Sequence, residues 1–346
     1  MPVTAMAAEI ILAENLQLYE LESLSSRAGI FFARSRLEWM WEDPRWTDFV
    51  VAVRNAYGLA GLLPVSMSRL AGWPDRLYDV SEVTGVAGYA APVTCLLGGR
   101  ADACGSMLFG RALTGEGRHL AADCAVGMLM ELARERRLRC AGLYISAREA
   151  ELSAALRRAR MRAHPAPARS FIRWPEPTTE SYLDHLTGSH RAIVRRDWRK
   201  RDALGLRCVP GAWHELSDEA APAIASILVK HGYQSHPRLV RMRLRRWGAV
   251  AGDHGFALRA ETAGTAAGYA FGWHDQNVTT MYEVGIAQDR SPLSQAAYLE
   301  LLVYGPVAAA CARGISALDL GMFAAEPKRL RGAIAQPIFH WTMPAE

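Results

Sequence analysis

No apolar run in the 346-residue chain approaches the ~18–20 residues of a bilayer-spanning helix. A transmembrane helix is therefore not expected. The N-terminal stretch "MPVTAMAAEIILAEN" lacks a basic region ahead of its short apolar segment, which argues against a secretory signal and for a cytoplasmic location. Cysteine is sparse: Cys95, Cys104, Cys124, Cys140, Cys208 and Cys311 include no CxxC pair and sit in apolar sequence. Buried free thiols are expected, not disulfides or a metal site. His231 and His236 stand five apart beside a proline, which is no helical metal pair. No serine lies in a GxSxG elbow, so neither metal-assisted nor serine-nucleophile chemistry has a supporting pattern. Glycine is also missing between Asp289 and Leu299, where a strand runs into a helix.

Half of the residues are apolar and 22% are charged, the composition of a globular protein. Single hydrophobic cores stop growing near ~250–300 residues, so this length implies two domains. A net charge of +5 and a pI near 9.0 favour an anionic partner. The excess is concentrated in "RAIVRRDWRKR", residues 191–201, and "RLVRMRLRRW", residues 238–247.

From residue 48, "DFVVAVRNAYGLAGLLPVSMSRL" reads as a hairpin of adjacent strands, and "PVTCLLGG" as a short strand ending in a glycine pair. "RHLAADCAVGMLMELARERRLR" places Leu120, Cys124, Met128 and Leu132 at four-residue spacing, an amphipathic helix with a basic C-terminal end. A strand ("CAGLYIS"), a helix ("AREAELSAALRRARM") and a strand ("SFIRW") follow. Residues 255–343 repeat the order: a hairpin ("GFALRAETAGTAAGYAFGWHDQ"), a strand ("TTMYEVGIAQ"), a helix ("SPLSQAAYLELLVYGPVAAACARG") with Gly314 near its C-cap, then "ISALDLG" and a final strand, "IAQPIFHW". The duplication rests on element order alone.

The break between the modules falls at "HPAPARSFIRWPEPTTESYLDHLTGSH", whose prolines cannot continue a helix and favour extended chain. Gly188 and Ser189 then end one helix and cap another, with Arg191, Arg195 and Arg199 on one face at i, i+4, i+8 and Ile193, Val194 and Trp198 as anchors. The resulting plan is an N-terminal module over 1–168 and a C-terminal module over 169–346, with a basic helical insertion at about 179–204.

Two motifs in that second half carry a family resemblance. "YLDHLTGSHRAIVRRDWRKRDALGLRC" supplies Tyr182, Leu183, Leu186, Arg191, Arg195, Arg196, Arg199, Lys200 and Gly205; "LDLGMFAAEPKRLRGAIAQPIFHW" supplies Asp319-x-Gly321 and Lys328-x-x-x-Gly332. Together they resemble the second half of the Fem-type and related GNAT-superfamily N-acyltransferases, closely over 180–343 and by architecture alone before that. The resemblance implies an α+β fold of two tandem GNAT-like (acyl-CoA N-acyltransferase-like) modules, each a mixed sheet flanked by helices. It also implies amide formation from an activated acyl donor, with no cofactor beyond that cosubstrate.

Acyl transfer to an amine needs a neutral amine, an electrophile for the tetrahedral oxyanion and a proton for the leaving group. Lys328 follows a strand end and inherits the electrophile's role by resemblance; read by itself, "KRLRG" is also a solvated basic turn. Glu283 in "MYEVG" is an acid in an apolar strand, either a base or a solvent-facing residue on the side opposite Tyr282 and Val284. His274 is a second base candidate, at a hairpin end. Asp319 orients a backbone group or Lys328, or makes a structural hydrogen bond.

In GNAT enzymes that use acetyl-CoA, a "[QR]xxGxG/A" turn wraps the pyrophosphate, because glycine allows the backbone close approach. Aligned on Arg290, this chain has Leu293 and Gln295 at the glycine positions, and Pro292 removes an N–H donor. "GGRADACGS" and "TGEGRHL" are glycine-rich but lack strand-to-helix spacing and read as surface loops. Fem-type enzymes take the acyl group from an aminoacyl-tRNA, whose phosphates call for arginine and lysine. Arg191, Arg195, Arg196, Arg199, Lys200, Arg290 and Arg331 are the candidate donor contacts, tRNA the favoured partner, and the acceptor a small-molecule or peptide amine. Acyl-CoA as donor, and a GNAT-like fold that binds without catalysis, remain the alternatives.

Overall fold

The computed structural model describes residues 5–344 apart from 17, 26–28, 101, 103, 276 and 287–290. Contacts divide the chain into two compact units, 1–167 with 337–346, and 168–336.

The first unit is laid on strands β1 (Ala7–Leu12), β2 (Leu24–Ser25), β3 (Trp46–Asn55), β4 (Gly58–Ser68), β5 (Thr94–Leu97), β6 (Leu108–Gly110) and β7 (Arg139–Ser146), with helices α1 (Arg34–Trp41), α2 (Val80–Thr84), α3 (Gly115–Arg136) and α4 (Ala150–Arg158). Its main ladder runs β1, β3, β4, β5, β7, antiparallel up to β5 and parallel between β5 and β7. The β3–β4 hairpin forms because both runs are apolar and buried along almost their whole length. Helix α3 lies on the ladder through small and branched residues at helical spacing, Ala121, Ala125, Val126 and Leu129, which join Val51, Leu63 and Cys140 in one core. "TGEGRHL" is no loop: Thr114 is the N-cap and Gly115 begins α3.

β8 (Arg162–Arg173) leads out of this unit, carrying Pro165 and Pro167 in extended chain. The second unit then comprises α5 (Thr179–His185), α6 (Gly188–Ala203), β9 (Arg207–Gly211), α7 (Trp213–Lys230), α8 (Pro237–Ala251), β10 (Gly255–Thr262), β11 (Thr265–Asp275), β12 (Val278–Ile286), α9 (Pro292–Leu299), α10 (Gly305–Ala312), β13 (Ala317–Asp319) and α11 (Ala325–Arg329). Strands β9, β10, β11 and β12 are successively antiparallel, β12 and β13 are parallel, and β13 closes antiparallel on β8. Alternation along the strands feeds two cores: Leu258, Ala260 and Ala270 pack with α5, α6, α9 and α10, whereas Ala257 and Phe271 pack with α7 and α8.

The final strand, β14 (Ile334–Thr342), pairs antiparallel with β7 of the first unit, from Ile338 opposite Ser146 to Thr342 opposite Ala141. Residues 337–346 thus belong with the first unit, where the sequence reading had drawn the second module on to the C-terminus. Among the described residues the two ladders have one pairing pattern: three antiparallel steps, one parallel, one antiparallel. All six cysteines are free; Cys95 and Cys140 are buried and the other four half-buried.

Candidate active site

Helix α6 starts at Thr187, whose hydroxyl accepts from the His190 N–H, so the cap falls one residue before the glycine–serine pair read from the sequence. Val194 is fully buried and Trp198 packs edge-on against Tyr304, which fixes the helix against α9 and the turn after it. That turn, Glu300–Tyr304, is π-helical and joins α9 to α10. Its cause is local: Pro306 has no N–H, and in an unbroken α-helix its ring would strike the Leu302 carbonyl four residues back.

Between α6 and α9 lies a cavity of about 390 Å³ lined by Arg196, Asp197, Lys200 and Arg201 of α6, Gln295, Ala296 and Leu299 of α9, Glu300 and Tyr304 of the π turn, and Arg331. At its floor Tyr304 donates to Asp197 Oδ2 (2.7 Å), and Arg331 donates from Nη2 to the same oxygen, from Nε to the Tyr304 hydroxyl (3.0 Å) and from Nη1 to the Pro327 carbonyl (2.8 Å). Burial, and then the hydrogen bond to Asp197, push the Tyr304 phenol upward, so it stays protonated. At the rim, Lys200 Nζ approaches Gln295 Oε1 at 3.5 Å. Glu300 is 5% exposed; Arg201 Nη1 stands 3.5 Å from its Oε2, and burial raises the carboxyl above its ordinary range.

Of the basic residues picked from the sequence, Arg195, Arg196, Arg199 and Lys200 lie exposed on α6. Arg191 does not join them: its guanidinium donates to the Leu183, Asp184 and Leu186 carbonyls and closes the end of α5. Arg331 is buried and holds Asp197 from below, so it organises the cavity rather than offering a free cation. Arg290 lies outside the described residues.

The catalytic candidates do not form one cluster: Lys328 and Asp319 share the turn after β13, whereas Glu283 and His274 have other partners. Glu283 was expected either as a base or on the face opposite Tyr282. The β11–β12 register slips at Tyr282, a bulge that ends the alternation, and Arg243 of α8 reaches both residues, bonding Glu283 Oε2 at 2.6 Å and lying 5.9 Å from the Tyr282 ring. A carboxylate held this closely by a guanidinium is a poor base. His274 is buried, bonded through Nδ1 to Thr279 Oγ1 (2.8 Å) and stacked on Phe256; burial and the Arg313 charge push it down to about 4.

Lys328 is 2% exposed and donates to three carbonyl oxygens, Leu320 (2.7 Å), Met322 (2.8 Å) and Gly321 (3.2 Å). All three ammonium protons are thereby used, although burial, opposed by Asp319, brings it down to about 8. It latches a turn in which Gly321, Phe323 and Ala324 all have left-handed backbone. Asp319 completes that turn, accepting from the Gly321 N–H (2.8 Å) and from Arg169 Nε (2.9 Å). The two glycines of the resemblance have physical reasons: Gly321 sits at φ +70°, and Gly332, at φ +90°, has Leu186 Cδ2 2.3 Å from where a Cβ would be.

Sequence reasoning missed Glu300, Asp197 and Tyr304. The signal for the first was a lone acid inside the apolar run "AAYLELLVY"; the signal for its π turn was Pro306.

No protein-family model matches the sequence, and no curated protein matches it. Solved structures do. FemX superposes with a TM-score of 0.59, covering 97% of this chain and 97% of its own at 8% identity. A conserved protein of unknown function from Bacteroides thetaiotaomicron gives 0.57 over 95% and 98% at 11% identity. L-PGS from Bacillus licheniformis gives 0.52 over 85% and 83% at 10% identity. At these identities the likeness is one of fold alone: the chain shares the fold of FemX.

Proposed function

We propose that the protein is an N-acyltransferase that moves an aminoacyl group from aminoacyl-tRNA to an amine. The observation that carries this reading is the cavity between α6 and α9, open beside an exposed row of Arg195, Arg196, Arg199 and Lys200 in a Fem-type fold. Nucleic-acid phosphates are recognised by such rows of cations, and an ester already activated on tRNA needs no glycine-rich pyrophosphate loop. Around α9 the same economy is visible: Ser291 caps the Ser294 N–H with its own hydroxyl, and Pro292 has no N–H to offer. In this reading Lys328 shapes the turn after β13 and Asp319 orients Arg169.

The test offers radiolabelled bulk aminoacyl-tRNA and a set of acyl-CoAs separately, with a pool of cell-extract amines as acceptor. Label passing from tRNA into amide-linked product is the expected result. Label passing only from acyl-CoA would move the reading to a CoA-dependent N-acyltransferase, and binding without turnover on either donor would leave a GNAT-like binding protein.

A further inference from the structure

Glu300 is where an acid is least expected. It interrupts an apolar helical segment, yet it is held at 5% exposure on the wall of the cavity by the π turn that Pro306 imposes. Its Oε2 has only a long contact with Arg201 among the described residues, too long for a good hydrogen bond. The nearest cation, Arg201, is shared: its Nε donates to Asp202 Oδ1 at 2.9 Å, while its Nη1 remains 3.5 Å from Glu300. A buried carboxylate so weakly paired costs stability that a purely structural residue has no reason to incur.

Resting on the acyl-transfer reading above, we propose that Glu300 is the general base, and that the acceptor is an amine that enters the cavity as an ammonium and donates to Oε2. The Glu300 carboxylate takes one proton from the ammonium. The freed nitrogen lone pair attacks the ester carbonyl carbon, the C–N bond forms, and the ester C–O bond breaks. The leaving hydroxyl oxygen receives the second proton, which the nitrogen loses as the C–N bond forms, and Glu300 returns the first to solvent.

The surroundings fit this cycle. Arg201 and Asp202 face the carboxyl with opposite signs from α6, and the Cys208 thiol of β9, pushed up to about 12 by burial and by Glu300 itself, stays neutral beside it. Tyr304, Asp197 and Arg331 are satisfied by one another, which leaves Glu300 to the ligand, while Lys200 and Arg196 stand at the rim. Burial raises the Glu300 carboxyl in the direction a base for an amine requires.

Two probes separate proton abstraction from mere support of the fold. n-Butylamine reaches the site as an ammonium at neutral pH, whereas hydroxylamine arrives largely as the free base. With bulk aminoacyl-tRNA as donor, Glu300→Gln is expected to lower transfer to n-butylamine by ~100-fold or more, the size of general-base catalysis, and to remove the acidic limb of its pH profile. Transfer to hydroxylamine is expected to stay near the wild-type rate. Equal losses on both probes, or an acidic limb that survives, would overturn the assignment.

A measurement without turnover stands beside it: carboxyl-¹³C-glutamate spectra of wild type minus Glu300→Gln should show one carboxyl titrating above the ordinary range. One titrating at or below that range would sink the proposal even if no acceptor were found. A wild-type protein that transfers from no donor defeats the acyl-transfer reading instead, and the titration still decides whether Glu300 is poised as a base.

Discussion

Two buried histidines weaken the fold in acid. His274 is 7% exposed and His340 1% exposed; each is engaged, the first by Thr279 and the second by the Tyr144 N–H at 3.3 Å. Burial holds both at about 4, below the ordinary value of 6.5. A group depressed in this way binds its proton first in the unfolded chain. Stability is therefore fully present above pH ~6.5 and drains as pH falls toward 4, by up to about 3 kcal/mol for each histidine. The urea midpoint should be level from pH ~8 to 7 and fall steadily below ~6.5, with a shallower fall in His274→Gln; a midpoint unchanged between pH 7 and 5 would refute the account. Neither effect was legible, because a histidine's burial depends on what packs over it. His274 stands at the end of a hairpin, where the sequence does not show what covers it. Lys328 shows the same limit from the other side: the family resemblance supplied a role for it, but nothing in "EPKRLRG" pointed to the three carbonyls that accept its hydrogen bonds.

At the scale of elements, helix α6 is the best-read part of the chain and also the most divided. Charge spacing gave a row of arginines at i, i+4, i+8, and the helix is there. What the spacing could not distribute was their work, since Arg191 lies within reach of the α5 carbonyls while Arg195 and Arg199, one and two turns on, are exposed. The two exposed residues then predict salt dependence. If they meet phosphate, donor binding falls steeply with salt, each neutralised phosphate adding ~0.7–0.9 to the slope of log affinity against log salt. Replacing Arg195 and Arg199 by Gln should flatten the slope by about two such increments, whereas Arg191→Gln should lower the melting temperature and leave the slope alone. Equal slopes for wild type and the double variant would return the row to solvent. Strand β12 failed differently: alternation placed Tyr282 and Glu283 on opposite faces, and a bulge of one residue placed both within reach of Arg243.

Over the whole molecule, element order was enough to suggest an internal repeat, because hairpins, crossover helices and parallel neighbours leave local periodic traces. The closing strands left no such trace. In the first unit β7 is flanked by β14 from the far end of the chain, and in the second β13 is flanked by β8 from the middle. Nothing in "IAQPIFHW" says which partner it joins, since both edges accept an apolar strand. Trp341 makes the consequence measurable, as it is 2% exposed and belongs to the core formed by Val51, Leu63, Ala125 and Leu152. Trp341→Ala should cost ~3–5 kcal/mol, the usual range for deleting a large buried ring, and the loss should be charged to the first unit. Hydrogen exchange can assign it: amides of β3, β7 and α3 should lose protection while those of β11, β12 and α7 keep theirs. Were protection lost first in β11 and β12, some 55 to 76 residues from Trp341 in sequence, the last strand would belong energetically to its chain neighbours and not to the sheet it completes.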